Sequence, residues 1–96
     1  MKMRLISRNR LRAALTEAGL HQVSGELPSA AALLHASGLA ASLSEARRTV
    51  REGGAYINNI KVTDAEAPPA ADELLHGRWL VVRRGKRTVA GVETVS

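Results

Sequence analysis

The sequence predicts a small α+β domain, because helical signals fill its first half and strand and turn signals its second. Its 96 residues suit one domain and leave too little chain for a second. Serine caps stand before two apolar helical stretches, at Ser29 and Ser42. Two turn signals, Asn58-Asn59 and Arg83-Arg84-Gly85-Lys86-Arg87, each lie between β-branched runs. The expected division is a basic N-terminal arm and connector over residues 1–26, helical or flexible, and the main domain over residues 27–96.

Leu11, Ala14, Leu15 and Ala18 have helical spacing, and Gly19 closes that stretch. Residues 1–12 carry no strong periodic apolar face, and Leu20–Pro28, with Ser24-Gly25 inside it, reads as a connector. Ser29 caps a short Ala-rich helix over 30–37 that ends at Gly38. Ser42-Leu-Ser-Glu45 fits a capping box that starts a helix running through Glu52 to Gly53-Gly54. With Arg47 as zero, Leu43, Val50 and Ala46 fall at about −40°, −60° and −100° and form the expected buried stripe. Arg47, Arg51 and Arg48 follow at about 0°, 40° and 100°, an unbroken cationic strip beside it. Pairing with Glu45 and Glu52 would account for Arg48 but leaves Arg47 and Arg51 without acidic neighbours on the helix. A hairpin follows over 55–62, then a Pro68-Pro69 loop, a brief turn from Asp72, a strand at 79–82 and a return strand at 88–92. Gly85 can take positive φ in the basic turn.

The net charge is +5, and it is segregated. Residues 1–12 hold five basic residues and residues 78–87 another five, both without an acid, while residues 13–77 hold four basic and eight acidic residues. Such blocks point to a polyanionic partner. Tyr56 and Trp79 are the only aromatics, too few for a surface that stacks successive bases. A nucleic-acid partner would therefore be held by phosphate and shape.

The absence of cysteine excludes disulfide frameworks, cysteine-ligated zinc and thiol nucleophiles. His21, His35 and His76 lack metal-ligand spacing. No apolar run approaches the roughly 20 residues of a membrane span. P-loop, dinucleotide and nucleophile-elbow motifs are missing as well. No catalytic residue, metal or cofactor is expected, and no membrane partner.

Ser42-Leu-Ser-Glu-Ala-Arg-Arg48 followed by Gly53-Gly-Ala-Tyr-Ile-Asn-Asn-Ile-Lys-Val62 resembles the α-L, or S-four-type, RNA-binding module. Asp72-Glu-Leu-Leu-His-Gly-Arg-Trp-Leu-Val-Val-Arg-Arg-Gly-Lys86 narrows the resemblance to the C-terminal RNA-binding domain of bacterial tyrosyl-tRNA synthetases, over about residues 27–92. The resemblance implies two packed helices against a small, mostly antiparallel sheet. It implies RNA-facing roles for Ser44, Arg47, Arg48, Asn58, Asn59 and Lys61, with Arg51 added by the helical strip and Arg83, Arg84 and Lys86 as supporters. Leu43 stands where many relatives have lysine, and Asn58-Asn59 where Asn-Gly is common. The synthetase's HIGH-type and KMSKS-type signatures have no counterpart, so no tyrosine activation is expected. The expected partner is structured RNA, tRNA(Tyr) first, in the cytoplasm. Ribosomal RNA bound by a free-standing relative, or a docked protein, is the alternative. The synthetase catalytic body is a further partner the resemblance admits, with a monomer expected in isolation.

Overall fold

A computed structural model of the chain describes residues 7–95. Lys2 and Arg4 of the expected arm lie outside the described residues. Ser7 caps α1 (Arg8–Ala18), its hydroxyl accepting the Arg10 N–H at 3.3 Å, so the helix starts three residues before Leu11. Only Leu11 and Leu15 of its four expected apolar positions are buried; Ala14 and Ala18 are exposed. The charges of α1 oppose its dipole. Arg8, Arg10 and Arg12 crowd the positive end without a first-turn acid, and Glu17 sits at the negative end. Each such placement costs about 0.3–1 kcal/mol when exposed, so packing must hold this helix in place.

The connector expected over Leu20–Pro28 is in part a strand, β1 (Leu20–Ser24). The helices α2 (Ala30–Ala36) and α3 (Leu43–Arg51) follow, with Ser29 and Ser42 accepting the Ala32 and Glu45 N–H groups at 3.2 and 3.1 Å. Then come β2 (Ala55–Ile57), β3 (Ile60–Lys61), a 3₁₀ turn at Ala71–Glu73, β4 (Trp79–Arg84) and β5 (Thr88–Val95). Asn58 and Asn59 take φ of 52° and 67°, the double left-handed geometry of a tight hairpin turn. Gly85 takes φ of 66° in the other hairpin. The sheet order is β1-β5-β4-β2-β3, antiparallel throughout except for the parallel pair β1–β5.

Alternation along β4 divides the core between two faces. Leu80 and Val82 join Leu33, Leu34, Ala46 and Val50 beneath α2 and α3. Trp79 points the other way and packs with Leu11, Leu15 and Leu75, Val81 at its margin. The helix α1 thus covers the second face, as part of the fold rather than an appendage to it. Gly91 on β5 permits its close approach: a Cβ there would lie 2.7 Å from the Leu15 Cβ. The Trp79 indole N–H donates to Glu93 at 3.1 Å, and the Gln22 amide donates to the other Glu93 oxygen at 3.2 Å. That buried carboxylate ties β1, β5 and β4 across the register Gln22↔Glu93↔Trp79.

Two substitutions test this integration. Gly91→Ala should cost about 1–3 kcal/mol by overpacking, and Leu15→Ala about 2–5 kcal/mol by leaving a cavity. Both should shift a single transition in urea, followed by Trp79 fluorescence and far-UV circular dichroism. Two separate transitions would instead mark residues 1–26 as an independent arm.

Candidate RNA interface

The helix α3 owes its orientation to a buried arc of Ala46, Thr49 and Val50. Thr49 fits there because its hydroxyl donates to the Glu45 carbonyl at 2.9 Å. The arc is centred farther round than the expected stripe, which leaves Leu43 at its rim, 41% exposed rather than buried. Arg47, Arg48 and Arg51 all reach solvent, and Ser44 is exposed in the first turn. Arg48 and Arg51 form no salt bridge among the described residues; of the expected Arg48 pairing only an electrostatic influence on the Glu45 carboxylate remains.

Three cationic segments meet at Gly53-Gly54. The Lys61 ammonium lies 3.5 Å from where a Gly53 Cβ would stand, at the negative end of α3, where Arg51 also sits. The Gly85 N–H donates to the Gly54 carbonyl at 2.8 Å, which brings the turn carrying Lys86 and Arg87 to the same junction. Asn59 is exposed at the tip of the β2–β3 hairpin. Arg51, Lys61 and the turn carrying Lys86 therefore meet at one backbone crossing, exposed and basic, with Arg48 one turn back on α3.

The remaining expected residues are held in internal contacts. The Asn58 amide donates to the Glu73 carbonyl at 2.6 Å and accepts the Val81 N–H at 2.9 Å, fastening the 3₁₀ turn to β4. Arg84 donates to Glu45 at 2.5 Å and to the Leu39 carbonyl at 2.9 Å. That hydrogen bond holds the Glu45 carboxyl below its ordinary value, against the opposing effect of partial burial. The expected capping box is thus half formed, since the Glu45 carboxylate turns to Arg84. Arg83 lies over the Tyr56 ring at 4.1 Å, its Nε buried without a partner, on the sheet face away from α2 and α3. Arg47 is exposed yet donates to Glu66 at 3.0 Å, which raises its pKa further.

Glu66, Tyr56 and Arg87 are the contributors that sequence reasoning left out. The loop over 63–70 supplies Glu66. Its Ala65 and Ala67 carbonyls accept the Ala31 and Ala30 N–H groups at 2.9 and 3.1 Å, and the residue between them projects outward to Arg47. No periodicity announces that contact. Tyr56↔Arg83 is a cross-strand pair that the hairpin alternation alone could suggest once β2 and β4 are taken as neighbours. Arg87 stands in the same turn as Lys86 and is equally exposed. No grouping of three or more metal-ligating side chains occurs among the described residues.

The family model described as Tyrosine-tRNA ligase SYY-like C-terminal domain matches residues 11–90. A tyrosine-tRNA ligase of Streptomyces griseus is 59% identical over 83 residues, covering 86% of this chain and 19% of that protein. One from Thermobifida fusca is 55% identical over 85 residues, covering 85% of this chain and 20% of the relative. The chain thus spans about a fifth of these curated relatives. A solution structure of a tyrosyl-tRNA synthetase C-terminal domain superposes with a TM-score of 0.75 at 22% identity, covering 99% of this chain and 96% of that one. It shares the fold.

Asn58→Gly keeps the turn conformation and removes both amide bonds. It should lower stability by about 1–3 kcal/mol, whereas Asn59→Gly, at an exposed position, should be near neutral in the same urea titration. The lowered Glu45 pKa makes its ion pair with Arg84 a source of stability at neutral pH. That stability is lost as pH falls through the lowered value. Glu45→Gln should therefore be less stable than the parent at neutral pH, with the difference shrinking in acid, in thermal melts across pH.

Proposed function

The chain belongs to the tyrosine-tRNA ligase C-terminal domain family, and on that footing we propose that it is an RNA-binding module that clamps structured RNA by backbone and shape, with tRNA(Tyr) as its target. The similarity is to the C-terminal domain of the ligases, about a fifth of their length. The observation that carries the proposal is the meeting of Arg51, Lys61 and the turn bearing Lys86 at the Gly53-Gly54 crossing, with Arg48 exposed one turn back on α3 and neither Arg48 nor Arg51 in a salt bridge among the described residues. A-form RNA presents phosphates and 2′-hydroxyls across a shallow groove, groups that lysine, arginine and the Asn59 amide can meet without stacking aromatics.

The reading ranks the cations. Arg48, Arg51, Lys61 and Lys86 make direct contacts, assisted by Ser44 and Asn59. Arg47 must exchange Glu66 for a phosphate, while Asn58, Arg83 and Arg84 hold the surface in shape. The synthetase catalytic body is the second partner, and the module acts in the cytoplasm as a monomer when isolated. No described helix is long and apolar enough to cross a membrane.

Binding to a tRNA(Tyr) transcript should be salt-dependent, with log K falling against log salt at a slope of about −3.5 to −4.5 if five cations neutralise phosphates. Arg48→Glu should weaken binding about tenfold, or about 1.4 kcal/mol. Glu66→Gln should strengthen it slightly by releasing Arg47. A slope shallower than about −1 would remove the phosphate clamp. Stronger binding to ribosomal RNA fragments in competition would transfer the module to the ribosome.

A further inference from the structure

We infer that the groove between α1 and the 75–79 turn is a second phosphate-binding site for an RNA backbone, on the sheet face opposite the α3 strip. The inference rests on the RNA-binding reading above. The groove has a volume of about 420 Å³, open to solvent, and is lined by Ser7, Arg8, Asn9, Arg12 and Arg78 over Trp79. No carboxylate lines it, and none of the three arginines pairs with an acid among the described residues.

Two separate elements aim their cations at one place. The guanidinium carbons of Arg8 and Arg78 stand 5.9 and 5.7 Å from the Trp79 ring centroid. Arg12 follows Arg8 by one helical turn and lines the same groove. These charges repel one another, and Arg8 and Arg12 also repel the positive end of α1. An anion in the groove relieves both repulsions. Trp79 is 1% exposed and its N–H is engaged by Glu93, so it forms a fixed floor and offers no face for a base. Phosphate is thus the part of a nucleic acid that this groove can take, and Ser7 and Asn9 add neutral polar groups at its edge. The open shape suits a polymer passing through, in contrast to the enclosed pocket of a small ligand.

The test compares salt-dependent binding of the full chain to a tRNA(Tyr) transcript in four variants, with Trp79 fluorescence and thermal melts confirming each fold. Arg8→Gln combined with Arg78→Gln should weaken binding about tenfold and flatten the salt slope by about two units, one per lost phosphate contact. Arg78→Lys should keep most of the affinity. Ala36→Glu, exposed on α2, makes a charge change outside both sites and should have little effect. Arg48→Gln reports on the α3 strip. Loss with Arg48→Gln but none with the double variant would overturn the second site and leave the RNA-binding reading standing. No loss in either would overturn both. A loss in the double variant no larger than that of Ala36→Glu would reduce the groove to long-range attraction and overturn the site. Unchanged RNA binding with loss of binding to the synthetase catalytic body would make the groove a protein contact, which also overturns it.

Discussion

The strand β4 buries side chains on both of its faces, with Leu80 and Val82 under α2 and α3 and Trp79 under α1. Every other layer is placed by that requirement. Leu80 and Val82 define where Ala46 and Val50 must lie, and so which side of α3 carries its arginines outward. Trp79 defines where Leu11 and Leu15 must lie, and so where the basic start of α1 comes to rest. A domain this small has little core to share. Splitting it between two faces makes Gly91 and the Glu93 carboxylate matter out of proportion to their size.

Local signals carried the reading of the fold wherever the partner of a residue was near in sequence. Ser29 and Ser42 cap α2 and α3, and Asn58-Asn59 forms its turn, because each solves its hydrogen-bonding or φ requirement within a few residues. The strand β1 was opaque for the opposite reason. Its five residues show weak alternation, and its register partners lie on β5, with Gln22 and Glu93 71 positions apart. The burial of Leu11 and Leu15 was equally hidden, since α1 has too narrow an apolar stripe to declare a face without Trp79 opposite it.

The site was legible as composition and less so as duty. Helical geometry placed Arg47, Arg48 and Arg51 on one exposed strip, as found. It could not show that Arg47 meets Glu66, a contact set by where the 63–70 loop bonds to the start of α2. Nor could it show that Asn58 and Arg84 look inward, because their partners Val81, Glu73, Glu45 and Leu39 come from other elements. The outcome is a division of labour. Polar side chains with internal partners frame the crossing at Gly53-Gly54, and exposed cations stand around it.

The parallel pairing of β1 with β5 closes the sheet by joining its earliest strand to its last. Such a contact has high sequence separation, so its loop-closure entropy must be met before any reward arrives. The natural order of folding is then the local hairpins first, β4 with β5 and β2 with β3, followed by α2 and α3 on one face. The helix α1 and β1 arrive last, since α1 buries Leu11 and Leu15 against Trp79 of β4 and β1 pairs only with β5. During synthesis from the N-terminus, Leu11, Leu15 and Leu20 are made early and remain unpartnered until Leu75 and Trp79, and then Gly91, emerge. A chain interrupted before β4 would therefore present an apolar, basic segment with nothing to cover it, a natural substrate for chaperones and proteases.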